Sequence, residues 1–162
     1  MKKKKSWQEK LHDNKGLPRL IEFGKTPKNW PAGLYVIPAP VEVDKIMKQV
    51  PRGKLITINQ IREILASKHK ADYACPITTG IFAWVAAYAA EEQAAEGKKD
   101  ITPYWRTLKS DGILNEKYPG GTENQKKLLE KEGHKVIRKG KSKNFTVADF
   151  EKSLINIIHI IL

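Results

Sequence analysis

Pro103-Tyr104-Trp105-Arg106 places a phenol, an indole and a guanidinium next to one another. Tyr118 and Glu132 follow within thirty residues. A phenol with a pKa near 10 is a weak nucleophile at neutral pH, and an indole donates a hydrogen bond but cannot take a proton. Glu132 could orient a neighbouring base, yet no imidazole stands beside Tyr104. Group transfer to residue 104 is therefore disfavoured. The aromatic rings are suited to stacking on a planar base, with Arg106 and Glu132 as polar partners. The single cysteine, Cys75, precedes Pro76 at a helix start, where a thiol pKa is lowered, so an enzyme using Cys75 is a competing reading. The four histidines and one cysteine show no metal-ligand spacing, and neither metal nor cofactor is expected.

The order Pro103-Tyr104-Trp105-Arg106, Asp111-Gly112, Tyr118-Pro119-Gly120-Gly121 and Glu132-Gly133 resembles the active-site segment of the alkylguanine-DNA alkyltransferases. These methylated-DNA–protein cysteine methyltransferases carry Pro-Cys-His-Arg, a strand, a Ser/Asp-Gly turn, Tyr-x-Gly-Gly and a helix ending in Glu-Gly. Gly53-Lys54-Leu55-Ile56-Thr57-Ile58-Asn59-Gln60-Ile61 is similar to a second family run, Gly-x-Val-x-Ser/Thr-Tyr-x-Gln-Ile/Leu. The resemblance spans roughly residues 40 to 137. Four positions depart from it. Tyr104 replaces the acceptor cysteine, Trp105 the histidine and Ile58 a phosphate-contacting tyrosine, and Pro76 or Ile77 stands where an intercalating arginine is expected.

Loss of the cysteine is similar to the alkyltransferase-like proteins, which bind alkylated bases in DNA without repairing them. The resemblance implies a mostly α domain with a small β-hairpin, winged helix-turn-helix-like, and no enzymatic activity. It implies a base pocket framed by Tyr104, Trp105, Arg106, Tyr118 and Glu132. It also implies a DNA-contacting surface made by Lys54, Thr57, Ile77, Thr78, Thr79, Gly80, Ala83 and Ala87. The expected partners are duplex DNA, including alkylated guanine, and an excision-repair protein.

The elements that position these groups follow from local signals. Val43, Ile46, Met47 and Val50 share one face of a helix from about Val41 to Val50. Thr57-x-x-Gln60 is a capping box opening a helix to about Lys68. Cys75 and Pro76 open a third helix with Gly97 as its C-cap. On that helix Ile77, Ile81, Trp84, Val85 and Tyr88 form a large side, read as core. Thr79, Gly80, Ala83, Ala86, Ala87 and Ala90 form a small side. A small-residue face either lies in a widened minor groove or packs tightly on another helix. Asp111-Gly112 predicts a two-residue hairpin turn between Trp105–Leu108 and Ile113–Asn115. A helix then runs from Gly121-Thr122 to Glu132, and Lys135, Arg138, Lys139, Lys141 and Lys143 form a basic loop. Thr146-x-x-Asp149 predicts a last helix carrying Val147, Phe150, Leu154, Ile157, Ile158 and Ile161 on one face.

Three regions follow: a basic N-terminal extension over 1–37, the helix-turn-helix domain over 38–140, and a C-terminal helix packing on it over 141–162. The extension reads as a packing strap, with Lys2–Lys5 able to attract phosphates. The formal charge of +12 makes nucleic acid the leading partner, with an anionic membrane surface as competitor. No apolar run reaches the ~20 residues of a bilayer span. The lysines of residues 2–5 lack the apolar stretch of a secretion signal, so a cytoplasmic monomer is expected. A general nucleic-acid-binding or regulatory helix-turn-helix protein without lesion specificity is the alternative.

Overall fold

The computed structural model describes residues 2–24, 29–138, 141 and 144–162. Lys139 and Lys143 of the expected basic loop lie outside the described residues. Among the described residues, five α-helices and several short strands form a mixed α/β fold. Helix α1 (Trp7–His12) opens at Ser6 through a reciprocal capping box with Glu9. Strands β1 (Arg19–Phe23) and β2 (Gly33–Ile37) pair antiparallel, in register Arg19 to Ile37. Helix α2 (Pro40–Lys48) follows. Strand β3 (Ile56–Thr57) leads into α3 (Ile58–Lys68), where Thr57 and Gln60 form the capping box expected from sequence. Strand β4 (Tyr73–Ala74) adds in parallel to β2. It runs directly into the longest helix, α4 (Pro76–Ala95), which ends at Glu96 before Gly97 at φ 90°.

The packing of α4 overturns part of the sequence-based assignment of its two sides: Val85 of the large side is buried as expected, but so is most of the small side. Thr79, Ala83, Ala86, Ala87 and Ala90 are all buried, in contact with α1, α2 and α3 and sharing a core with Val43, Ile46 and Met47. Small side chains allow neighbouring helix axes to approach closely. Ile77 and Ile81, expected inside, are instead 43 % and 36 % exposed. Both sides of α4 are apolar, so volume rather than polarity selects the packed one. No helix among the described residues is long and apolar enough to cross a membrane.

The second half of the chain departs from the expected hairpin. Asp111 and Gly112 take the positive φ values of a tight turn, 61° and 76°, and Ile113 N–H returns to Ser110 O at 3.4 Å. The flanking segments then diverge. Strand β5 (Thr107–Leu108) pairs in parallel with β3, while Ile113 bridges to Thr146. Gly112 is needed for contact as well as for φ, since a Cβ there would lie 2.4 Å from the Phe150 ring. Helix α5 (Gly121–Lys131) begins after Gly120 at φ 76°. Strands β6 (Val136–Arg138) and β7 (Phe145–Val147) pair antiparallel. Leu55, Leu108, Leu114, Leu129 and Val147 make a second small core here. Three small sheets therefore replace the single hairpin anticipated in a mostly α fold.

The expected C-terminal helix is absent. Thr146 is buried in β7 rather than capping, and Asp149 sits at φ 52°, outside right-handed helical space. Residues 150–153 and 157–159 make single 3₁₀ turns. Between them the chain runs alongside β3: Leu55 N–H donates to Ser153 O, and Ile155 N–H to Leu55 O, both at 2.9 Å. The β-branched isoleucines favour this extended path. Gln49 completes it with two bonds to Ile161, at 2.6 and 2.8 Å.

Because Ala83 is wholly buried, Ala83→Glu places a carboxylate among apolar side chains and should lower stability by about 4 kcal/mol or more. Ala94→Glu, at an exposed position on the same helix, should stay within about 0.5 kcal/mol of the parent in chemical denaturation.

Candidate nucleic-acid interface

The five residues assigned to a base pocket do converge, but as filled interior. Tyr104 is 0 % exposed, and its ring meets Trp105 edge-on at 5.3 Å and Tyr118 at 5.5 Å. The Tyr104 hydroxyl donates to Glu91 Oε1 at 2.6 Å and accepts from Asn124 Nδ2 at 3.1 Å. Burial, with the Glu91 carboxylate beside it, pushes the phenol above its ordinary range. Burial does the same to Tyr118. Neither phenol is activated as a nucleophile, and neither ring is open for a base to stack on.

Glu132, with its side chain only 3 % exposed, is the polar centre of this interior. Arg106 Nε reaches its two oxygens at 2.6 and 3.0 Å, and Trp105 Nε1 donates to the same pair at 3.0 and 3.1 Å. Arg106 Nη1 continues to Val50 O at 2.7 Å, which ties the end of α2 to the end of α5. Buried Gln125 adds a brace: it accepts from Asn115 N–H at 2.7 Å and donates to Trp105 O at 3.1 Å. Glu91, Asn124 and Gln125 carry no local signal of these roles. They face their partners only after α4 and α5 have packed.

The open feature lies next to this cluster. A cleft of about 450 Å³ separates the first three turns of α4 from the loop over residues 108–118. Ile77, Gly80, Ile81 and Trp84 line it from α4, Ile58 from the first turn of α3, and Tyr118 closes its inner end. Lys109 and Lys117 stand on the opposite wall with Glu116, which pairs with Lys109 at 3.3 Å. The cleft thus has an apolar helix face on one side and a charged loop on the other. Its volume falls within the range usual for small-ligand sites.

Of the surface residues inferred from sequence, Ile77 and Gly80 line the cleft, and Thr78 lies between them in sequence with its Oγ1 buried and unpaired. Thr57 is buried and its hydroxyl caps α3. Thr79 is buried and its hydroxyl donates to Cys75 O at 2.6 Å. With Ala83 and Ala87 inside the core, these four are not contact residues. Lys54 lines a separate groove with Leu154, Ile155 and His159. Cys75 is buried, and no cluster of metal-ligating side chains occurs among the described residues. Ile58, Ile81, Trp84, Lys109 and Lys117 come from three separated segments, and no local sequence signal joins them into one surface.

No family model matches the chain, and no curated protein matches its sequence. Among solved structures the chain is similar to Schizosaccharomyces pombe Atl1 in a complex with damaged DNA containing O6-carboxymethylguanine. The likeness is at 17% identity and a TM-score of 0.49, covering 72% of this chain and 94% of that one.

Glu132→Ala would leave the Arg106 guanidinium half-buried without its carboxylate. A loss of about 3–5 kcal/mol in urea denaturation is expected. Glu132→Gln, which keeps an acceptor for Trp105, should fall between that variant and the parent.

Proposed function

We propose that this chain is a non-catalytic DNA-binding protein of the alkyltransferase-like kind, with the cleft between α4 and the 108–118 loop as its base-binding site. In this reading α3 and α4 serve as the two helices of a helix-turn-helix, and β6 with β7 forms the wing. The observation that carries it is the cleft: an exposed apolar helix face opposite a lysine-bearing loop, in a chain of formal charge +12. Apolar side chains at a DNA interface can wedge between base steps and unstack them. Ile77 and Ile81 are the two large hydrophobic residues of α4 exposed for this. Lys109 and Lys117 supply phosphate contacts across the cleft. Tyr104 offers no sulfur and no activated oxygen, so a captured base leaves unchanged and must be passed to a repair protein.

A second reading, duplex binding without lesion preference, is favoured by one feature. The interior around Tyr104 is filled, and among the described residues no deep recess opens beyond Tyr118 for an alkyl group. Titrating the protein with matched duplexes, one carrying a single O6-alkylguanine, decides between the two. At least tenfold tighter binding of the altered duplex is expected. Equal affinities would establish the second reading.

If about five phosphates are contacted, log K should fall against log salt with a slope near −4.5. A slope near zero would remove DNA from consideration. Ile77→Glu should lower duplex affinity tenfold or more while leaving the melting temperature close to that of the parent, because this side chain is partly exposed.

A further inference from the structure

We infer that Lys2–Lys5 form a second, sequence-independent contact to the phosphate backbone, held beside the cleft by Trp7. This rests on the duplex-binding reading above and adds a separate element to it. Ile77, Ile81, Trp84 and Tyr88 form one continuous stripe along α4, of which the first half lines the cleft. The second half is covered by α1. Trp7 stacks on Tyr88 at 4.7 Å and meets Trp84 edge-on at 5.7 Å. Gln8 fastens the same turn, donating from its backbone to Glu92 at 2.8 Å and from its side chain to Glu96 at 3.0 Å. Trp84 therefore touches both the cleft and the anchor of the N-terminal segment.

The lysines enter where that anchor begins. Ser6 caps α1, and Lys2 to Lys5 immediately precede it, all exposed. Lys5 is paired with Asp13 at 2.5 Å, whereas among the described residues no ion pair engages Lys2, Lys3 or Lys4. Four extended residues reach about 13 Å. The first turn of α1, which the lysines precede, is fastened at Glu92 and Glu96, about 18–24 Å along α4 from Gly80. Duplex DNA presents a charge every ~1.7 Å of its axis, so an arm of this length follows several phosphates beyond those at the cleft. Lys10, spread over the Trp7 ring at 4.1 Å, adds positive charge at the same anchor. At this end of α4, Glu91 is bonded to Tyr104 and Glu92 to the α1 backbone, while exposed Glu96 accepts from the Gln8 side chain.

The test compares the full chain with K2A/K3A/K4A and with Ile77→Glu, using an unmodified 30-base-pair duplex and anionic phospholipid vesicles. The triple variant should melt like the parent, and its salt slope should be shallower by about 2.7, the share of three phosphates. An unchanged slope in the triple variant, with binding lost in Ile77→Glu, overturns the arm and leaves the cleft standing. Absence of duplex binding by the parent overturns both. Vesicle binding that the triple substitution abolishes, with duplex binding intact, assigns the lysines to a membrane surface and overturns the inference.

Discussion

The carboxylate of Glu132 is the contact on which the second half of the molecule depends. A charge so little exposed to water persists only if it is paired and its lone pairs are occupied. Arg106 and Trp105 meet that condition together, and Arg106 extends the link to Val50 O. The turn over residues 104–106 is thereby fixed between the ends of α2 and α5. From that turn β5 is aimed at β3, and the loop over 108–118 is set against α4. The cleft exists because this loop stops short of the helix rather than packing on it.

The same arrangement leaves the Tyr104 phenol buried beside a carboxylate and unactivated as a nucleophile. The Tyr104 hydroxyl is engaged by Glu91 and Asn124. The Trp105 indole donates to both oxygens of the Glu132 carboxylate. The hydrogen-bond geometry around Glu132 is served without a group that can accept a proton. What remains accessible is the outer cleft, bounded by side chains from α3, α4 and the loop.

Much of this was legible in the sequence where the signals were local. Thr57-x-x-Gln60 marked the start of α3, Cys75-Pro76 that of α4, and Gly121-Thr122 that of α5, because caps act over three or four residues. Asp111-Gly112 gave the turn but not its arms, whose partners are β3 and Thr146, far away in the chain. The two sides of α4 could not be ranked from periodicity, since both are apolar and the choice is made by α1, α2 and α3. The C-terminal segment misled for a related reason. Its isoleucines matched a helical period, while Asp149 and the unpaired edge at Leu55 drew the chain into an extended path. The interior character of Tyr104 followed from Glu91, thirteen residues earlier, and no spacing rule connects that pair.

The position of Trp84 gives the protein an optical consequence. Its ring borders the cleft on one side and the edge of Trp7 on another. Indole emission shifts in colour with local polarity and is quenched by stacked rings. Whatever enters the cleft displaces water from a ring already coupled to the N-terminal helix. The chain thus contains its own fluorophore at the junction of its two proposed contact elements, where occupancy of one is registered by the other.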